Sequence, residues 1–242
     1  MSAKLNLEKY FNENDGSLSF TRENASAFAK LVAGDFNPIH NPDARRFCVP
    51  GDLLFAVFLH RHGVASSMNF DFQNMVDDST LLRERDEDGV IILGEDQKRD
   101  HLVVKASKTI DASNEAIKGL INAYVQFSGQ TFPYLLVDLM KDHQVMINPA
   151  RPLVLYKSME IQLDGLPDKQ ITLEFSGARL DAEGKKGKVS LNFDIFSSGQ
   201  KVGKGNKKML LGGLMPYDQL KIDGLVDEYN KVKTEYLAAH PN

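Results

Sequence analysis

Residues 53–59 read Leu-Leu-Phe-Ala-Val-Phe-Leu, an unbroken apolar run. Pro50 and Gly51 precede it and Gly63 follows His62, which predicts a helix over 51–62 with Gly63 as its stop. A helix that is apolar on every side has no face to offer to water, so it must be buried all round. The chain therefore needs something wide enough to wrap it. The segments that follow supply strands. Met68, Phe70 and Phe72 alternate with Asn69, Asp71 and Gln73, the pattern of a half-buried strand. Further strands are predicted around 79–84, 89–94 and 101–109, with Arg-Asp-Glu-Asp-Gly at 85–89 as a solvated turn. Ahead of the buried helix, Thr21 can cap a helix that places Ala25, Phe28, Ala29 and Val32 on one face and stops at Gly34.

A similar order then recurs. Asn114 can cap a helix to about residue 128, and Pro133 opens a second apolar stretch ending near His143. Three alternating runs come next. Leu153, Leu155, Met159, Ile161 and Leu163 are predicted to share a face, as are Ile171, Leu173 and Phe175, and Val189, Leu191, Phe193 and Ile195. Phe-Ser-Ser-Gly-Gln-Lys at 196–201 reads as a hairpin turn into a last strand ending near Leu211. Helix, apolar helix, then antiparallel strands, given twice, is an α+β pattern rather than a βαβ one. The repeat lies in architecture, not in residue identity. With no Pro-rich or Gly/Ser-rich linker between them, the halves are expected to pack as one unit. The last segment predicts an extra helix, capped by Asp223, with Ile222, Val226, Tyr229, Val232 and Tyr236 at helical spacing. It is expected to dock on the body or on a second subunit.

Composition narrows the function classes. A net charge of −4 over 242 residues gives no reason to expect nucleic acid or an anionic membrane as partner. One cysteine, Cys48, excludes an internal disulfide and a cysteine-based zinc site, which fits a reducing compartment. With no apolar leader-like segment and no stretch of transmembrane length, the expected location is the cytoplasm.

The segment Ala-Gly-Asp-Phe-Asn-Pro-Ile-His at 33–40 carries the chemistry. Pro38 lacks an N–H and biases Asn37 away from helix, and Asn37 can close an Asx-turn. Asp35 and His40, which would diverge on a helix, can then converge on one side of a loop. A carboxylate and an imidazole held together offer a base, an acid and a way to orient water. Gly51 opens the buried helix shortly afterwards, and free N–H groups there, with the positive end of the dipole, favour an oxyanion. Taken alone, acid–His pairs in loops are more often structural, and the loop then reads as a polar turn in which Asp35 caps and His40 satisfies backbone.

These residues resemble the hydratase motif of MaoC-like proteins, the R-specific enoyl-CoA hydratases. That signature is a small residue, Gly-Asp-x-Asn-Pro, an aliphatic residue and His; Gly34, Asp35, Asn37, Pro38, Ile39 and His40 match it. The resemblance covers about residues 22–62, and the whole chain also resembles a bacterial family of unknown function that carries this motif. It implies a double hotdog, two curved antiparallel sheets each wrapped on an apolar helix. Residues 1–112 would be the half with the motif, 113–215 the half without it, and 216–242 an added C-terminal helix. It further implies addition of water to a trans-2-enoyl thioester, on coenzyme A or an acyl carrier, with no cofactor and no metal. By the same resemblance Asp35 and His40 are the acid–base pair, Gly51 N–H holds the thioester oxygen, and Asn37 and Pro38 support the loop. The chain would be a monomeric double hotdog or a homodimer. Two other readings use the same fold: a non-catalytic acyl-thioester binding or regulatory module, and a hotdog thioesterase. A cavity blocked by Phe47 or Phe55 would favour the binding module.

The chain departs from the family pattern in three ways. Pro50-Gly51 stands where His-Gly is usual, the 41–50 loop is shorter, and Asp52 puts an anion beside the expected oxyanion site. That carboxylate would oppose an enolate unless it turns away. Elsewhere, Lys204 and Lys207 belong to a lysine cluster in the 185–208 hairpin, by default a solvated face, with coenzyme A phosphates as the sharper alternative. His60 and His62 are two apart on a helix and diverge, so they read as complements to the helix dipole rather than metal ligands. Cys48 reads as packing.

Overall fold

The computed structural model describes residues 5–96, 98–165, 167–168 and 170–241. Residues 1–4 and Asn242, at the ends of the expected first half and C-terminal helix, lie outside the described residues. Short strands β1 (Asn12–Asn14) and β2 (Ser17–Ser19) lead to α1 (Arg22–Ala27), capped by Thr21, whose hydroxyl accepts from Asn24 N–H at 3.1 Å. A wider helical turn, Phe28–Ala33, extends α1, and Gly34 ends it in the left-handed conformation. Helix α2 (Gly51–His62) follows the 33–50 loop. Its side chains from Asp52 to Leu59 are all buried, as an apolar run requires, and exposure begins at His60.

The wrapping consists of β3 (Ser67–Phe72), β4 (Leu82–Glu87), β5 (Val90–Gly94) and β6 (Asp100–Ala106). Strand β4 starts later than the sequence predicts and runs into the 85–89 segment, so only Asp88 and Gly89 make the turn, both at positive φ. Helices α3 (Asn114–Gly129) and α4 (Leu136–Asp142) come next. The cap of α3 is Ser113, not Asn114: its hydroxyl accepts from Ala116 N–H at 3.2 Å. After the short β7 (Val145–Met146) come β8 (Leu153–Leu163), β9 (Ile171–Glu183), β10 (Lys186–Ser197) and β11 (Gln200–Gly212). The two-residue β12 (Met215–Pro216) pairs with β7, and α5 (Gln219–Ala239) closes the chain. Asp218, not Asp223, caps α5, and Asp223 sits inside it.

The two sets of strands form one antiparallel sheet of ten, in the order β1-β2-β4-β5-β6-β3-β8-β11-β10-β9. The halves join where β3 pairs with β8, Phe70 opposite Met159. This is an α+β protein in which both sets of strands share one continuous sheet, with the β7–β12 pair separate from it. The core respects no boundary near residue 112: Phe55 of α2 lies 5.2 Å from the Phe70 ring and 4.6 Å from Tyr124 of α3, and Met159, Ile161 and Phe193 belong to the same cluster. A second cluster gathers α4, the far ends of β9–β11 and the start of α5.

Strand alternation holds along β10, where Val189, Leu191, Phe193 and Ile195 are all buried. It breaks in β8. A bulge at Lys157 makes Lys208 oppose Ser158 while Met209 opposes Tyr156. One extra residue inverts the alternation. Tyr156 and Val154 therefore pack inward with Met159 and Ile161, and Leu153, expected on that face, is 41% exposed. Strand β9 continues well past residue 175 and leaves Phe175 47% exposed near a bulge opposite Asn192 and Phe193.

Candidate active site

Gly34 has φ 71°, where a side chain would be strained, and it turns the chain out of the helical segment into the loop. Asp35 N–H donates back to the Ala29 carbonyl at 2.8 Å. Asp35 Oδ1 accepts from Asn37 N–H at 2.8 Å, and Asn37 Oδ1 accepts from Ile39 N–H at 3.2 Å. Two overlapping Asx-turns thus fold the segment, and Pro38, with no N–H to place, starts the tight turn Pro38–His40. The result brings Asp35 Oδ2 and His40 Nε2 to 3.6 Å, a separation that one water oxygen can bridge. The other ring nitrogen, Nδ1, lies 2.7 Å from the Cys48 carbonyl. A carbonyl only accepts, so Nδ1 carries the hydrogen. In the neutral ring Nε2 then presents its lone pair on the side of Asp35.

Asp35 and His40 line a cavity of about 320 Å³ that also contains Gly51. Leu53 N–H turns back to the Pro50 carbonyl at 3.0 Å, and the N–H groups ahead of it, on Gly51 and Asp52, have no carbonyl four residues back within the helix, which leaves them for whatever occupies the cavity. Gly51 matters sterically as well: a Cβ there would lie 2.7 Å from Tyr156 Cδ1, so only glycine lets that ring pack on the helix start. The remaining wall is largely apolar, with Leu54, Phe72, Leu136, Ile147 and Met209, and exposed Met75 and Leu210 stand at its outer end. Phe47 and Phe55 lie in the core and not on the cavity wall.

The second half contributes a polar cluster that the sequence reading missed. Asp52 Oδ2 accepts from Ser128 Oγ at 2.5 Å, and Lys207 Nζ donates to the same Ser128 oxygen. Lys207 Nζ also lies 4.4 Å above the Tyr156 ring, whose hydroxyl is bonded to that of Tyr124. Asp52, Ser128 and Lys207 are each about 95% buried and all line the cavity. Burial pushes the Asp52 carboxyl above the ordinary range, with Lys207 and the Ser128 hydroxyl pulling the other way. This placement corrects the expected role of Lys207. It stands on the same hairpin as Lys204 but not on its solvated face. Three residues apart on one strand, the two side chains point to opposite faces of the sheet, and they cannot grip one phosphate together. Lys204 is exposed; Lys207 shares the inward face with Met209 and Leu211.

Two more residues shape the loop from afar. The Tyr229 hydroxyl of α5 donates to the Gly34 carbonyl and accepts from Phe36 N–H, both at 3.3 Å, and so brackets Asp35. Its ring lies edge-on to Phe36 and Phe132. Gly129 packs so closely beneath the loop that a Cβ would lie 1.8 Å from the Ala33 carbonyl oxygen. A weak signal for that contact was present in the sequence: Gly129 and Pro133 repeat the spacing of Gly34 and Pro38, with Gln130 at the place of Asp35 and Leu135 at that of His40.

The remaining candidates have plain roles. Cys48 is half-buried, and desolvation pushes its thiol up to about 12. His62 Nε2 and Arg61 Nη1 both meet Glu84, at 3.0 and 3.1 Å. Among the described residues, no group of three or more His, Cys, Asp or Glu is arranged to hold a metal ion. No helix among them is long and apolar enough to cross a membrane.

Fold and site together define an α+β protein with an acid–imidazole pair at the N-terminus of a buried helix. A family profile described as a protein of unknown function (DUF3581) matches residues 5–220, so the chain belongs to that family. A search of curated proteins returns no match. Among solved structures, it is similar to a conserved protein of unknown function with a hot dog fold from Alicyclobacillus acidocaldarius, at 6% identity over 89% of this chain and 100% of that one, TM-score 0.47. It is also similar to an acyl-CoA thioesterase II from Mycobacterium marinum, at 11% identity over 69% and 91%, TM-score 0.44. A MaoC-like dehydratase aligns at 10% identity over 85% and 99%, TM-score 0.41. Likenesses this distant leave the chemistry to be argued from the site itself.

Proposed function

We propose that this chain is a double hotdog that adds water to a trans-2-enoyl thioester, or removes it, at Asp35 and His40. The observation that carries the reading is the 3.6 Å approach of Asp35 Oδ2 to His40 Nε2 in a cavity that also contains Gly51. Two acceptors at that spacing hold both hydrogens of one water and leave an oxygen lone pair for the substrate. As the water oxygen bonds to the β-carbon, one of the pair takes a water proton. The π electrons move to the thioester oxygen, which faces the Gly51 N–H. The enolate then collapses as the retained proton passes to the α-carbon, so H and OH are both accounted for. The largely apolar wall suits an acyl chain, and no step needs a cofactor or a metal. The carrier is coenzyme A or an acyl carrier protein.

The assay is a panel of trans-2-enoyl-CoAs and saturated acyl-CoAs with purified protein. Loss of the enoyl absorbance without free thiol is the expected result. Release of thiol would make the protein a thioesterase. Saturable binding with neither change would make it an acyl-thioester binding module.

A further inference from the structure

The Asp52 carboxylate stands at the second residue of α2, beside the N–H that the proposed reaction uses to receive negative charge. It does not turn out to solvent. It is 5% exposed, Oδ2 is bonded to Ser128, and Oδ1 is buried with no hydrogen-bond partner among the described residues. A buried carboxylate at this point would repel an enolate oxygen in a medium that screens poorly. Among the described residues, the buried ammonium that stands against it is that of Lys207, carried in on β11 from the second half and held by Ser128 and the Tyr156 ring. The other titratable groups near Asp52 are Asp35, His40, Tyr124 and Tyr156, and none of these carries a permanent positive charge.

We propose that Lys207, relayed through the Ser128 hydroxyl, is the counter-charge that lets the N-terminus of α2 accept negative charge on a thioester oxygen despite Asp52. Lys207 is thereby a positioning residue for charge, acting on the oxyanion site through Ser128 and Asp52. The inference rests on the acyl-thioester reading of the cavity but not on Asp35 and His40 as catalysts. The Ser128 hydroxyl has one hydrogen, given to Asp52, and a lone pair, used by Lys207, so it fixes the order of the three groups. The geometry also accounts for a lysine on an inward strand position among Met209 and Leu211, where an unpaired ammonium would be costly.

The test uses acetoacetyl-CoA, whose enolate has its own ultraviolet absorption. When its C2–H bond breaks, the proton passes to solvent and the negative charge spreads onto the thioester oxygen. The enolate fraction at equilibrium therefore reports on the oxyanion site whether or not Asp35 and His40 are catalysts. Wild type, K207M, D52N and the D52N/K207M double variant are titrated with pH after saturation with the ligand. The expected order is an enolate fraction in K207M lower than wild type by about tenfold or more, one pKa unit. D52N should exceed wild type, since Lys207 then faces no anion, and D52N/K207M should fall back to near the wild-type value, below D52N, because anion and counter-charge are both gone. K207M leaves Asp52 buried without its partner and can fail to fold; the comparison of D52N/K207M with D52N then carries the test, the double variant falling below D52N. Equal enolate fractions in wild type and a folded K207M, or in D52N and D52N/K207M, would overturn the proposal. No rescue of K207M by D52N would also overturn it. If wild type does not bind acetoacetyl-CoA at all, the acyl-thioester reading itself falls, and this inference with it.

Discussion

At the scale of single residues, Asp35 has two duties. Its Oδ1 accepts from Asn37 N–H and shapes the turn, while its Oδ2 faces His40. Asp35→Asn keeps an acceptor for the turn and removes the base, so turnover of an enoyl thioester should fall by about 10²–10⁴-fold with little change in melting temperature. His40→Ala should cost a similar factor. Because the pair acts on one water, the double variant should lose far less than the product of the two losses. Steady-state kinetics with thermal melting checks both points, and a melting temperature that collapses in Asp35→Asn would make the turn its main role. Cys48 offers a separate check. With its thiol pushed up to about 12, the thiolate fraction is about 10³-fold lower than in a free cysteine, and alkylation should be slow until denaturant unfolds the chain.

At the scale of elements, the loop owes its shape to helices far away in the chain. Tyr229→Phe deletes the hydroxyl that bridges Gly34 and Phe36, which should cost about 0.5–1.5 kcal/mol and lower turnover without abolishing it. Gly129→Ala forces a Cβ onto the Ala33 carbonyl, so α3 or the loop must shift; a loss of about 1–3 kcal/mol and of most activity is expected. Gly224→Ala is the control, since a Cβ there meets nothing within 4 Å and alanine is the better helix former inside α5. Denaturant melts of the three variants separate these outcomes. The β5–β6 turn supplies a pH test. His101, buried, donates from Nε2 to Glu95 Oε1 at 3.1 Å, and that bond, more than Lys98, holds the Glu95 carboxyl below its ordinary 4.5. A depressed folded value means stability that is present above pH 4.5 and lost as pH falls through the folded value. The melting-temperature gap between wild type and Glu95→Gln should therefore be widest near neutral pH and close as the solution is acidified below 4.5.

At the scale of the whole molecule, the two halves share one sheet and one core. β3 and β8 pair edge to edge, and one cluster holds Phe55, Tyr124, Met159 and Phe193. A fragment of residues 1–112 would expose the unpaired edge of β3 and the uncovered side of α2, so it should aggregate or remain unfolded where the full chain is monodisperse. A fragment that stays soluble with native-like dispersion in its amide NMR spectrum would show two independent domains. The sequence by itself determined what depends on neighbours a few residues apart. The apolar run 53–59 required a buried helix, alternation placed β3 and β10, and Gly34, Asn37 and Pro38 required a turn that could bring Asp35 toward His40. Local patterns failed where a single extra residue changed parity, as at the Lys157 bulge, or where two acceptable caps lay close together, as with Ser113 and Asn114. Lys207 was half legible, since its parity with Met209 and Leu211 already pointed inward. Only the tertiary structure decided which groups meet across the chain: Ser128 with Asp52 and Lys207, 76 and 79 residues away, and Tyr229 with Gly34 and Phe36, 195 and 193 away. Those partners are set by which strand adds to the edge of β3 and how α5 lies over the loop, and burial enforces them, because a charge out of water must find its counterpart wherever the packed chain has placed one.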